Sequence, residues 1–129
     1  MPAYPEAAAA LGTLRAAGVS VGVLSNSAAD AVGSALEAAG LEVDLVVGSD
    51  SVRVFKPDPR VYAAGVEATG VPPDEVVMVA AHWWDLLGAS RAGLRTAWVA
   101  REEKVLMPGV EVDWRGADLA ATAAAIATG

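Results

Sequence analysis

Six polar residues of this 129-residue sequence have the type and local setting for chemistry: Ser25, Asn26, Lys56, Tyr62, His82 and Asp85. Ser25 and Asn26 follow a short apolar run and precede an amphipathic segment, so a hydroxyl, an amide and exposed backbone N–H groups can converge on an anion there. A plain helix cap with a turn is the other reading of that pair. Lys56 lies in Phe55-Lys56-Pro57-Asp58-Pro59, a stiff stretch that can hold an ammonium against negative charge, although a solvated lysine fits the same residues. Asp85 follows a strand-like run and two tryptophans. A carboxylate in such partly apolar surroundings needs a cationic or N–H partner to stay ionised, and it can equally cap a helix beginning at Leu86. His82 can donate to a substrate or be an ordinary loop histidine. Tyr62, six residues after Lys56, can turn its hydroxyl into the same cleft or belong to the core. Trp83 and Trp84 read as packing surface, because no basic patch accompanies them.

These residues must be positioned by alternating helices and strands. Residues 5–17 read as a helix with Pro5 in its first turn, Ala7, Leu11 and Leu14 on one face and Gly18 as its stop. Val19–Leu24 is a buried strand. Ser27 is placed to cap the next helix, with Asp30 in its first turn, a stripe of Val32, Leu36 and Ala39, and Gly40 as its end. Val43–Val47 is the second strand and residues 48–51 a loop. Asp58 as N-cap and Pro59 at the first helical position start a helix that ends at Gly70. Glu75–Ala80 is the third strand, followed by a helix over about 86–92 with Gly93 as its cap. Leu94–Val99 is the fourth strand, and residues 117–127 form a terminal Ala-rich helix. Strands alternating with helices in units of about thirty residues predict an α/β fold, a parallel sheet with helices on both faces. In such sheets ligands bind outside the carboxyl ends of the strands, where Ser25 and Asn26, residues 50–56 and residues 82–85 fall.

Composition narrows the function. Nine basic residues against sixteen acidic ones give a formal net charge of -7, which disfavours broad binding to nucleic acid or anionic membranes. With 54% hydrophobic and 19% charged residues, the chain has the composition of a packed protein, expected to form a single domain over 1–129. No cysteine and one histidine leave no thiolate nucleophile, zinc ribbon or His-rich metal cluster. The expectation is of no metal or other cofactor. The N-terminus lacks a basic start followed by an apolar core, and no apolar stretch reaches membrane-spanning length. A cytoplasmic protein acting on a small molecule is the expectation.

Leu24-Ser25-Asn26, Phe55-Lys56-Pro57-Asp58-Pro59 and the run Ala80-Ala81-His82-Trp83-Trp84-Asp85, followed by G-A-S-R-A-G-L-R-T-A-W-V, together resemble the haloacid dehalogenase superfamily of hydrolases in order and spacing. The ordered set covers about residues 2–100. Asn26 directly after Ser25, Tyr62 after K-P-D-P-R-V, and W-D where phosphatases carry paired acids are most similar to the 2-haloacid dehalogenases. The resemblance implies a Rossmann-like core and a two-step hydrolysis, in which an aspartate displaces halide from the α-carbon and water then cleaves the resulting ester. It also implies roles: Ser25 holding the nucleophile or substrate carboxylate, Asn26 lining the halide site, Lys56 offsetting carboxylate charge, Asp85 ordering Lys56 and water, and Tyr62 supporting the pocket. His82, with Ala80 and Ala81, stands where that branch commonly has S-S-N.

The sequence departs from the family in one large respect. The strand followed by D-x-[DYF]-G-T, which carries the nucleophile and is the central strand of the family's sheet, does not occur, nor does the helical cap with its arginine. Three functions follow as expectations: a dehalogenase-type hydrolase core inactive as this chain, a phosphatase of the same superfamily, or a noncatalytic binding module whose missing strand comes from a partner. The phosphatase pattern G-D-x-x-x-D has Ala81 at its first acid, and one carboxylate is a poor magnesium site. Loss of the central strand leaves two open edges, which favours a homo-oligomer or a partner chain.

Overall fold

The structure, a computed structural model, describes residues 5–129; residues 2–4 of the stretch that carries the resemblance lie outside them. The elements alternate as the hydrophobic pattern predicts. Helix α1 (Ala7–Ala16) leads to strand β1 (Gly22–Leu24), helix α2 (Ala29–Ala38), strand β2 (Leu45–Val47), a short helix α3 (Ser49–Val52) and helix α4 (Pro59–Thr69). A 3₁₀ turn at Pro73–Glu75 precedes strand β3 (Val77–Ala80), helix α5 (Trp83–Arg91), strand β4 (Arg95–Val99), strand β5 (Trp114–Gly116) and helix α6 (Leu119–Thr128).

All strand pairings are parallel, in two separate ladders. β1 pairs with β2 in the register Gly22 to Leu45 and Leu24 to Val47. β4 lies between β3 and β5, with Val77 opposite Arg95 and Ala97 opposite Trp114. The same device pins both registers. Asp44 donates its backbone N–H to Val21 O at 2.7 Å and accepts Val21 N–H on its side chain at 2.7 Å. Asp113 does likewise with Thr96, at 2.9 and 2.8 Å. Among the described residues β1 and β3 each have a strand partner on one side only. β3 is accordingly half-buried along its whole length, whereas β4, paired on both sides, is buried from Thr96 to Val99.

Several local expectations are corrected. Residues 49–52 form a helical turn and not a loop, and the Trp114–Gly116 strand has too short a run to be read from periodicity. Ser27 does not cap α2: Ala28 occupies that position, and Asp50 Oδ1 accepts Ala29 N–H at 3.0 Å from across the chain. Ala39 is exposed, so only Val32 and Leu36 of the stripe are partly buried. Asp85 is not an N-cap, because α5 begins at Trp83 and places Asp85 in the interior of its first turn. Elsewhere local chemistry rules as expected. Asp58 caps α4 by accepting Arg60 N–H at 2.9 Å, and Gly18, Gly40, Gly70 and Gly93 all have positive φ at the ends of their helices.

Packing between α4 and α5 holds the two ladders together. Tyr62, fully buried, joins Ala89 and Leu94 in a cluster that also takes Leu24 of β1 and Met78 of β3. The ring lies directly on Gly88 of α5, where a Cβ would sit 2.8 Å from Tyr62 Cε2 and 2.9 Å from its hydroxyl oxygen. Alanine in an exposed helix interior gains about 1 kcal/mol over glycine. Here the sign reverses: Gly88→Ala should cost about 1–3 kcal/mol through overpacking, read as a lower midpoint in urea unfolding.

Candidate active site

Proline and the cap together place Lys56. Asp58 holds the start of α4, its carboxyl lowered to about 2 by the Arg60 guanidinium and then by Arg60 N–H. Asn26, from the turn after β1, accepts the Lys56 backbone N–H on Oδ1 at 2.7 Å, and the Lys56–Pro57 peptide is cis. The ammonium is directed at α5. Lys56 Nζ lies 2.7 Å from Asp85 Oδ2, and the side chains are only 12% and 9% exposed. The other oxygen, Asp85 Oδ1, accepts the Tyr62 hydroxyl at 2.6 Å, and Asp85 O is 3.2 Å from the same hydroxyl. Burial, then the hydrogen bond to Asp85 and its charge, push the Tyr62 phenol far above its usual range.

Four of the six residues singled out in the sequence are thus linked by hydrogen bonds: Asn26, Lys56, Tyr62 and Asp85. Ser25 is adjacent in the chain, but its Oγ accepts Ser27 N–H at 3.0 Å and its own N–H donates to Val47 O, so the hydroxyl organises the turn. His82 turns to two acids from the β4–β5 connection, with Nδ1 3.1 Å from Glu103 Oε2 and Nε2 3.3 Å from Glu102 Oε2. Glu102 and Glu103 were not marked by sequence, since R-E-E-K in a charged loop reads as a solvated surface. Gly88 had no signal either. A surface groove of about 520 Å³, lined by residues such as Gly33, Leu36 and Val46, contains none of the six.

Each oxygen of the buried Asp85 carboxylate accepts one side-chain hydrogen bond, from Lys56 and from Tyr62. Position 81, where the phosphatase pattern has its first acid, is alanine, and among the described residues no group of three His, Cys, Asp or Glu side chains is arranged to hold a metal. What the arrangement offers is a positively charged ammonium, fixed in place at the carboxyl ends of β1 and β3, beside a buried hydroxyl.

An α/β chain with this site, order and spacing belongs to the haloacid dehalogenase-like hydrolases, whose family profile matches residues 1–93. The chain is 38% identical over 104 residues to (S)-2-haloacid dehalogenase 4A of Burkholderia cepacia, covering 79% of this chain and 45% of that protein. It is also 38% identical over 121 residues to phosphoserine phosphatase of Thermus thermophilus, covering 92% and 49%. In three dimensions it matches the L-2-haloacid dehalogenase of Xanthobacter autotrophicus with chloropropionic acid covalently bound, with a TM-score of 0.83 and 30% identity over 92% of this chain and 58% of that one. The chain spans about half the length of the curated relatives it matches.

Lys56→Met should lower stability by about 3 kcal/mol, because it leaves a buried carboxylate without its countercharge. Tyr62→Phe should cost about 1–3 kcal/mol by leaving Oδ1 unsatisfied. The two losses should be non-additive in a double-mutant cycle, since both act on Asp85. The pH dependence has a defined sign. Tyr62 has a raised folded-state pKa, so its contribution is complete below the unfolded value of about 10 and is lost as pH rises toward the folded one. Alkaline absorbance titration should show a tyrosinate step coincident with unfolding that disappears in Tyr62→Phe.

Proposed function

We propose that Lys56, Asp85, Tyr62, Asn26 and Ser25 form the charge-balancing half of a hydrolase site that removes halide from a small 2-haloacid through an aspartyl ester. The observation that carries this reading is the Lys56 ammonium, held at 2.7 Å by a carboxylate whose other oxygen is occupied by Tyr62. In the first step a carboxylate oxygen attacks the α-carbon and halide leaves with the bonding pair. In the second, water adds to the ester carbonyl, the alkyl oxygen departs with one of the water's protons as the 2-hydroxyacid, the other proton passes to solvent, and the carboxylate is regenerated. Lys56 stabilises the negative charge of the carboxylates in the site, and Asp85 keeps the ammonium in place. Ser25 and Asn26, in the turn after β1, and His82, whose ring the two glutamates restrain, are assigned to substrate binding.

The nucleophile is assigned to a strand that pairs between β1 and β3 and is supplied by polypeptide other than the residues of this sequence. The half-buried state of β3 and its single strand partner support that assignment. The 129 residues then act as one partial core domain in the cytoplasm, with no part in nucleic-acid or membrane binding; no helix among the described residues is long and apolar enough to cross a membrane. A phosphatase is the second reading, favoured by the identity to the Thermus thermophilus enzyme. Ala81, where the phosphatase pattern has its first acid, weighs against it.

Chloride release from 2-chloropropionate by this chain alone should equal the blank, and enzyme-dependent release that vanishes in Asp85→Asn would overturn the assignment of the nucleophile. Mixing the chain with a polypeptide that supplies the strand, its aspartate and a cap should restore chloride release and not phosphate release. In that complex Lys56→Ala should reduce kcat by at least about a hundredfold, whereas Arg60→Ala, at an exposed pair with Asp58, should change it little. Without complementation the open edges should drive self-association, seen by sedimentation. A monodisperse monomer with a cooperative, high-temperature melt would show that the edges need no partner.

A further inference from the structure

Helix α5 carries Asp85, yet the residue at its N-cap position, His82, makes no side-chain cap. The acceptor comes from the β4–β5 connection twenty residues on. Glu103 Oε1 accepts Trp83 N–H at 3.0 Å, which satisfies a donor at the start of the helix and places a negative charge at the positive end of its dipole. Its second oxygen, Oε2, is 3.1 Å from His82 Nδ1, so the carboxylate cannot rotate away without breaking a second contact. The imidazole is itself restrained, by Glu102 at 3.3 Å from Nε2 and by stacking on Trp84 with ring centroids 6.0 Å apart and planes 6° from parallel.

This clamp controls a site residue at short range. Asp85 is two residues beyond Trp83, and its N–H donates to His82 O at 3.2 Å, so His82 to Asp85 is one hydrogen-bonded turn. Lys56 and Tyr62 reach Asp85 from a different part of the chain, the entry to α4. A shift of the α5 turn therefore moves the carboxylate relative to its two partners. Arg101 pairs with Glu6, and Lys104 Nζ donates to Ala100 O at 3.1 Å.

We propose that Glu103 is a positioning residue, which holds the first turn of α5 so that Asp85 meets Lys56 and Tyr62, and that His82 fixes Glu103 in that role. The inference rests on the reading of Asp85 as a site residue, but its geometry can be tested without turnover. In the 129-residue chain, Glu103→Ala should accelerate amide exchange at Trp83 by about tenfold, as for a lost helix cap. It should also displace the NMR signals of Lys56 Nζ and of the Asp85 carboxyl carbon. Glu103→Gln keeps an oxygen acceptor for Trp83 N–H and should return all three to their wild-type values, and Glu102→Ala should leave Trp83 protected. Unmoved Lys56 and Asp85 signals in Glu103→Ala, or equal displacement in Glu103→Gln, would overturn the proposal while leaving the hydrolase reading standing. Should Glu103→Ala fail to fold, Glu103→Asp, one methylene short, decides: displacement in Asp but not in Gln supports it, and equal behaviour of the two removes it.

Discussion

The carboxylate of Asp85 sets the arrangement of everything around it. Only 6% exposed, it must have its charge compensated where it sits, and each oxygen takes one strong partner, Lys56 on one side and Tyr62 on the other. Those partners arrive on one short stretch of chain, six residues apart across a proline-bounded turn and the first turn of α4. Tyr62 then has to lie flat on α5, which only a glycine at position 88 allows. One buried charge thus dictates the approach of two helices, the identity of a glycine and the direction of a lysine. The same demand links the β1–β2 half to the β3–β5 half through packed side chains where no backbone ladder joins them.

The two halves solve their other polar problems in parallel ways. In each, the helix after the first strand receives its N-terminal acceptor from an acid that follows the neighbouring strand, Asp50 for α2 and Glu103 for α5. Each half also has an aspartate just ahead of a strand that exchanges hydrogen bonds with a single residue of the adjoining chain, Asp44 with Val21 and Asp113 with Thr96. A parallel pair brings the carboxyl end of one strand beside that of the next, so a loop acid there is within reach of the neighbouring helix start. Gly48 is part of this economy of space: a Cβ would lie 2.3 Å from Ala29 N, so a side chain at that position would drive the Asp50 loop off the helix it caps.

Much of the local structure could be read from residue type. Asp58-Pro59 begins a helix because the carboxylate accepts an N-terminal N–H while proline has none to lose, and glycines 18, 40, 70 and 93 end helices because they tolerate positive φ. The alternation of these elements determined a parallel α/β fold, and the rule that ligands meet the carboxyl ends of its strands selected Ser25, Asn26, Lys56, His82 and Asp85, with Tyr62 on the helix that follows Lys56. Tertiary structure alone decided which of them touch. Asp85 could have capped a helix from Leu86, and Ser27 the helix α2; in both cases an acid remote in sequence supplies the acceptor instead, because an N–H donates to whichever oxygen the fold delivers. His82 reads as a substrate donor or as a loop histidine, and only the fold brings Glu102 and Glu103 against its ring. Local preferences are a matter of sterics within a few bonds, and the sequence carries them at each position; contacts across twenty or more residues depend on strand register and helix approach, which are set by the whole packed chain at once.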